Sequence, residues 1–492
     1  MPLDVRKGSA FPTARIKRIL ARFSGRQNSG PNPPQSQTGL LTVRLSLTAH
    51  QAAEPDKAEA GFGQIREAWK SKLMKNYILA SVVILFAFST GLAQQTSSPW
   101  LTEAERAKFE TLRIAGSEAL FNLDYQTARQ DFKAMTQAFP NYPAGPQFLA
   151  DSLWIETLYQ TRRLQSSLYG GDDTFYSTSD DKADPAVVDQ FRTLTRQARL
   201  LAEARLKQHP RDPEALYFLG AIEGLKASFE EAVERRHFAA LKDGSDAVDR
   251  HREVIKLDPS YHDAEITIGL YDFTVGSLPL PVKLIAGVAG FRGSKKRGLA
   301  TLERVTREGR WVRDEARTLL IVLYTREKRY AEAAAIGKEL AAKYPRNYLY
   351  RLEAADALVS QAALERAAHQ NTTHASENEA FATFDALLKD KAVRDTAVRA
   401  FDLIHLKYGE ALMTAGLYER AAKEFMAAAE VPGAQQELAT MSHLYAARAL
   451  DLAGKRTDAL TQYRAVLARP NVYDAHDQAQ LGLKEAFKKK LT

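Results

Sequence analysis

Apolar positions fall into three regimes along this chain. Residues 1–73 show no long apolar period. Residues 77–92 form one apolar run broken only by small polar residues. From Leu101 onward, apolar and small residues recur in helix-length stretches punctuated by glycine and proline, the signal of amphipathic helices with short connections. Within this third regime a unit repeats at about 34 residues. It has a small residue, a Gly or Lys/Arg turn, an aromatic, an alanine three positions on, a bulky residue four further, and a proline about eight further. Gly116, Tyr125, Ala128, Phe132 and Pro140 carry it, as do Gly409, Gly416, Tyr418, Ala421, Phe425, Ala428 and Pro432. Ile321, Tyr330, Ala333 and Pro345 keep the spacing with Gly337 in the bulky place; Ala447, Gly454, Ala459, Tyr463 and Pro470 keep it with Arg456 in the first aromatic place.

The physical reading is a pair of antiparallel helices per unit. Small residues at Gly116, Gly220, Gly269 and Gly409 on the first helix, and at Ala128, Ala333, Ala421 and Ala459 on the second, let the two helices approach. The aromatics fill the space between them. Pro140, Pro210, Pro259 and Pro345 end the second helices, since proline lacks the N–H and restrains its predecessor. Asp212-Pro213 and Asp258-Pro259 read as restarts, with aspartate as cap and proline at the first helical position.

These residues resemble the tetratricopeptide repeat (TPR) family over most of Leu101–Phe487, in seven units of uneven quality. Ala198–Pro210, Gly220–Ala232, Ala247–Pro259 and Gly269–Gly309 supply the partial ones. The resemblance implies an all-α fold, a right-handed α-solenoid in which stacking buries the face that no unit buries alone. A narrower segment, Gly269–Val305, with Val275-Gly276-Ser277-Leu278-Pro279 and Gly290-Phe291-Arg292-Gly293, is similar to the eukaryotic inclusion-body-clearance type of TPR protein, also regarded as an adaptor. Three stretches break the period: a Gly/Asp/Ser/Thr-rich loop at 170–184, an insertion at 276–296, and a polar helical stretch at 361–391. The expected organisation is an N-terminal array at 94–346, an irregular expanded unit at 347–398, and a C-terminal pair with an end helix at 399–492.

Composition changes the picture at the N-terminus. The chain of 492 residues has a formal charge of +8, yet residues 1–73 hold twelve Lys/Arg against five Asp/Glu, and 74–93 add only Lys75. The remainder balances at 55 basic and 55 acidic residues, which removes a general nucleic-acid reading. Residues 1–73 read as a disordered basic extension, upstream of the true start of translation. Met74-Lys75-Asn76, the apolar run from Tyr77 to Leu92, and Gly91-Leu92-Ala93 before Gln94 are a signal peptide's three parts in order. The uninterrupted core, Val82–Phe88, falls short of the about 20 residues of a spanning helix. The expected chain is exported, bacterial and periplasmic or secreted, with the membrane met only in transit. The alternative is an uncleaved anchor in the inner membrane. The absence of cysteine excludes disulfides, thiolate metal sites and a lipoprotein anchor.

No motif calls for catalysis, a cofactor or a metal. Gly287 and Gly293 stand five residues apart with Ser294 before Lys295, which is not a phosphate loop. The acids Asp172, Asp173, Asp180, Asp181 and Asp184 lack the EF-hand order. His369 and His374 lie about 140° apart around a helix. Asn371-Thr372-Thr373 forms a sequon, uninformative in a bacterial context. What remains is the concave face, which in this family is lined by first helices. Counting from each small residue gives Arg113 and Ser117, Tyr217 and Ala221, Ile266 and Leu270, Thr318 and Val322, Leu406 and Glu410, Leu444 and Arg448, with Arg326 and Lys407 as further cations. The family's carboxylate clamp carries Lys and Asn at these two positions, and no such pair occurs. The expectation is a non-enzymatic scaffold for protein or peptide partners, without nucleic acid or cofactor. Its rivals are a membrane-anchored adaptor and an accessory enzyme using the 276–296 insertion. N-terminal sequencing of the native protein should begin at Gln94; a start at residue 1 removes the export reading.

Overall fold

The computed structural model describes residues 99–164, 184–278, 280, 283, 284, 287, 292–368, 374–397 and 400–488. The extension at 1–73, the segment at 74–93 read as a signal peptide, nearly all of the acidic loop, nine residues of the 276–296 insertion, His369 and the sequon lie outside these residues. Among the described residues every regular element is helical. Eight consecutive pairs follow one another: α1 Glu103–Phe121 with α2 Tyr125–Ala138, α3 Ala144–Gln160 with α4 Pro185–Gln208, α5 Pro213–Phe229 with α6 His237–Leu257, α7 Glu265–Ser277 with α8 Lys295–Glu308, α9 Arg313–Arg326 with α10 Tyr330–Lys343, α11 Tyr348–Ala367 with α12 Ala375–Lys389, α14 Ala400–Thr414 with α15 Tyr418–Glu430, and α16 Gln436–Leu452 with α17 Arg456–Leu467. A short α13, Lys391–Thr396, joins the sixth and seventh pairs, and α18, Ala475–Lys484, closes the stack. Each paired helix packs on the neighbouring paired helices, α12 on α14 past the short α13, giving an α-solenoid of TPR-like pairs.

Local chemistry sets the boundaries. Thr102 and Glu105 form a capping box at the start of α1, with Thr102 N–H donating to the Glu105 carboxylate at 2.8 Å. Asp212 caps α5, accepting from the Ala215 N–H at 3.0 Å, with Pro213 in the first turn. Asp124, Asp184, Ser294, Asn347 and Asp390 do the same for α2, α4, α8, α11 and α13. The second helices α2, α4, α6 and α10 stop two residues before Pro140, Pro210, Pro259 and Pro345.

Two readings of the sequence need correction. Asp258-Pro259 does not start a helix: Asp258 ends α6, and its carboxylate accepts from the Ser260 N–H at 2.9 Å and hydroxyl at 2.6 Å. The nearest donors belong to that tight turn, so α7 begins only at Glu265, after a 3-10 turn at His262–Ala264. The number of pairs also exceeds seven. Gly220–Ala232 and Ala247–Pro259 are the two halves of one pair, α5 and α6, while the stretch 347–398 contributes a pair of its own in α11 and α12.

Packing explains the small residues. A Cβ on Gly116 would lie 2.4 Å from the Phe132 ring, and one on Gly409 would lie 2.5 Å from the Phe425 ring. Both rings are buried, and Ala128, Ala333, Ala421 and Ala459 are fully buried on the second helices. In the third pair a histidine takes the aromatic's place, with His251 against Gly220. In the fourth, Gly269 and Gly298 let the backbones of α7 and α8 meet: a Cβ on Gly298 would lie 2.6 Å from the Gly269 carbonyl oxygen. Gly337 stands where a bulky residue was expected because α11 comes close there, with Ala354 Cβ 3.1 Å from its would-be Cβ.

The stack also curls upon itself. The end of α1 meets the corner before α11, where Phe121 stacks on Tyr344 at 4.9 Å, Asn347 donates to the Phe121 carbonyl at 2.7 Å, and the Arg346 N–H donates to Asn122 at 3.2 Å. Past the end of α3, Arg162 pairs with Asp402 of α14 at 2.8 Å, with both side chains buried. Replacing Gly409 with leucine should destabilise the protein by about 1–3 kcal/mol through crowding against Phe425; an unchanged thermal midpoint would mean that this contact is not close.

Candidate functional site: the inner face of the coil

Curling brings first helices from separate pairs around one interior. Its floor is aromatic. Trp100, Phe109, Tyr142, Tyr217, Phe218 and Trp311 pack edge to face, with centroid separations of 5.1–5.8 Å along the chain of contacts through Tyr142 and Trp311. Each such pair is worth about 0.5–1.5 kcal/mol beyond its burial. The floor is tied by ions. Arg106 of α1 grips Glu214 of α5 through two bonds of 2.6 and 3.0 Å, and the Tyr142 hydroxyl donates to the same carboxylate at 2.6 Å. Burial, then the Glu214 charge, hold the Tyr142 hydroxyl far above its ordinary range.

Across the coil, Glu110 of α1 accepts from Trp311 Nε1 at 2.9 Å and from Arg310 at 2.7 Å. Asp263 collects the backbone N–H groups of Arg310 and Trp311 at 2.8 and 2.9 Å, fixing the approach to α9. That approach aims Glu315, on the first turn of α9, into the interior together with Asp151 of α3, Arg113 of α1 and Tyr217 of α5, all of which act on it or on one another electrostatically. Asp151 and Glu315 are half-buried. Burial pushes the Asp151 carboxyl up to about 7, against a hydrogen bond from Gln147 that lowers it. Burial pushes Glu315 to about 8, with the Asp314 and Asp151 charges adding to the rise. Tyr350 and Thr318 share a hydrogen bond of 3.1 Å beside them. Further along, Lys407 of α14 lies 2.9 Å from Glu410 and 3.8 Å from Asp356 of α11; burial lowers its pKa, and these two acids more than offset that.

The residues expected to line an open groove are placed as follows. Arg113 lies on the inner face, its Nε held by Glu110 at 2.9 Å, and Ser117 is half-buried one turn on. Tyr217 is 5% exposed and its ring is taken up by the aromatic floor, so it offers no free surface. Arg326 ends α9 and is exposed. Lys407 and Glu410 are brought together as a pair. Arg448 bonds Gln478 and lies 4.8 Å from the Phe487 ring, so the chain's own C-terminal residues cover it. Asp151, Gln147 and Glu315 escaped the sequence reading. One signal was present: Asp151 is the sole carboxylate in the apolar stretch Phe148–Trp154.

Among the described residues there is no group of three or more His, Asp or Glu able to hold a metal ion, and no helix long and apolar enough to cross a membrane. No family model matches the chain, and no curated protein matches it. Solved structures with similar helical stacks include the human IFIT1 dimer with m7Gppp-AAAA, 13% identical with a TM-score of 0.38, covering 78% of this chain and 87% of that one. Yeast Tom70 is 12% identical with a TM-score of 0.31, covering 78% of this chain and 82% of that one. Such distant likenesses carry no argument about ligand.

The two carboxyls predict a pH dependence. Both have folded pKa values raised above the ordinary 3.8 and 4.5, so the stability they contribute is whole below about pH 4 and is lost as pH rises through 7 and 8. Asp151→Asn and Glu315→Gln should flatten the decline of the melting temperature between pH 5 and 8. Profiles parallel to that of the unaltered protein would show that neither group titrates in this window.

Proposed function

We propose that the protein is a non-enzymatic scaffold that binds protein or peptide partners along the inner face of its coil, as an exported envelope or adaptor component. The observation that carries this reading is the division of labour between the helices. Second helices such as α2, α10 and α15 devote their buried faces to stacking, through Ala128, Ala333 and Ala421. First helices α1, α3, α9 and α11 additionally carry polar groups inward: Arg113, Asp151, Glu315, Thr318 and Tyr350. A concave surface with fixed hydrogen-bonding groups suits an extended chain, which brings its own row of donors and acceptors.

The balanced charge from residue 94 onward favours protein over nucleic acid, because a nucleic-acid partner draws its affinity from a surplus of cations. The segment at 74–93 supports export rather than a cytoplasmic post. Photo-crosslinking residues placed at Ser117 and Thr318, and at the exposed outer position Lys133, test the surface. Partner crosslinks should form at the two inner positions and not at Lys133. Crosslinks to RNA, or to protein at Lys133 alone, would overturn the reading.

A further inference from the structure

We infer that the 276–296 insertion docks the protein onto the surface of an anionic phospholipid bilayer, with Leu280 and Leu284 entering the apolar layer and Lys283, Arg292 and Lys296 meeting the headgroups. This goes beyond the proposed scaffold function and does not depend on what the inner face binds.

The first observation is exposure. Leu280 and Leu284 are 77% and 71% exposed, more than any other large apolar side chain among the described residues. Leu280, Lys283, Leu284 and Gly287 have helical backbone, and positions i, i+3, i+4 and i+7 share one helix face. A Cβ on Gly287 would meet nothing within 4 Å, so the stack does not cover this face there. Apolar surface left open in this way marks a binding surface.

The second observation is how the leucines are presented. The two legs of the insertion close at its base, between α7 and α8. A Cβ on Gly276 would clash with the Lys295 backbone nitrogen, and one on Gly293 would lie 2.6 Å from the Asp272 carbonyl oxygen. Lys283 donates to the Gly276 carbonyl at 3.1 Å, which ties the exposed turn to that base. Ser294 caps α8 immediately beyond it. The leucines thus stand on a fixed mount, beside the cations of the returning leg.

The third observation is charge, and it selects the occupant. Residues 273–302 hold five Lys/Arg and no Asp/Glu, in a chain that is balanced from residue 94 onward. Two of the five are spent within the fold, since Arg297 pairs with Asp272, and Lys295 pairs with Glu327 at 2.6 Å. Lys283 bonds a carbonyl and keeps its charge. Arg292 and Lys296 are exposed, and among the described residues no acid pairs with either. Leucines beside a collar of one sign match the two layers of an anionic leaflet, where each Lys or Arg near the surface tightens binding about fivefold. The segment Leu278–Phe291 has fourteen residues, short of the about 20 that span a bilayer, so it lies on the membrane.

The chain has no cysteine, so one introduced thiol can be labelled alone. Full-length Gly287→Cys carrying the polarity-sensitive dye NBD reports this face and keeps both leucines; Lys133→Cys, at an exposed outer position, is the control. With vesicles of equal parts phosphatidylcholine and phosphatidylglycerol, the dye at 287 should brighten severalfold and be quenched by spin-labelled lipid, while the dye at 133 stays unchanged. Adding Leu280→Ser with Leu284→Ser should abolish the brightening. Adding Arg292→Gln with Lys296→Gln should instead weaken the vesicle titration about tenfold or more. Circular dichroism should be the same for all, because every replaced side chain is exposed. Equal brightening with pure phosphatidylcholine overturns the headgroup contact. No brightening at 287 overturns the docking even if the chain sediments with the vesicles, since that binding then belongs to residues 1–93. Brightening without lipid that grows with protein concentration assigns the leucines to a second copy and overturns the docking as well.

Discussion

The inner face depends on one carboxylate that joins two distant parts of the chain. Glu110, on α1, accepts from the Trp311 indole and the Arg310 guanidinium some two hundred residues away, while also holding Arg113 of its own helix. Together with the stacking of Phe121 on Tyr344 and the edge contact of Phe109 with Trp311, that junction fixes the first pair to the fifth and walls the aromatic floor of Phe109, Tyr142, Tyr217 and Trp311. The same junction sets the chemistry above the floor. It holds Arg113 beside Glu110, and it places α9 so that Glu315 enters the interior. A partly buried carboxylate with three donors is well satisfied, and charge-assisted bonds of this kind are among the stronger ones available to a protein.

The pairwise architecture was legible because its causes are local. Proline after the second helix, aspartate or asparagine before a first helix, and a small residue opposite an aromatic act within some twenty residues of one another, and each leaves a recognisable spacing. Where the local rule had two outcomes, reading by rule went astray. Asp258-Pro259 matches a helix start as well as Asp212-Pro213 does, but Ser260 offers Asp258 a nearer donor. The pair α11 and α12 read only as an irregular expanded unit, because Ala357, Leu358, Val359 and Ala362 make α11 buried on several sides, which blurs its amphipathic stripe.

The candidate site was legible only in part, for a different reason. Its residues come from α1, α3, α5, α9 and α11, and nothing in the spacing of Arg113, Asp151, Tyr217 and Glu315 announces that they share an interior. Counting from each small residue identified the inward-facing side of a helix. It could not say whether that side would meet solvent, as an open groove does, or another pair, as Tyr217 does. The sole carboxylate within an apolar helix was the one local clue, because an acid survives among Phe148, Leu149, Leu153 and Trp154 only where something compensates its desolvation.

Linear repeat proteins fold and unravel as one-dimensional arrays, each unit answering only to its neighbours. The bond between Arg162 and Asp402 spans 240 positions of sequence, and those from Glu110 to Arg310 and Trp311 span 200 and 201. Contacts of that separation close large loops before they contribute anything, so they slow folding and couple what they join. The first pair is therefore not free to fray independently: opening it exposes the interior of the fifth. Cooperativity here comes from these distant junctions and not from the repeat.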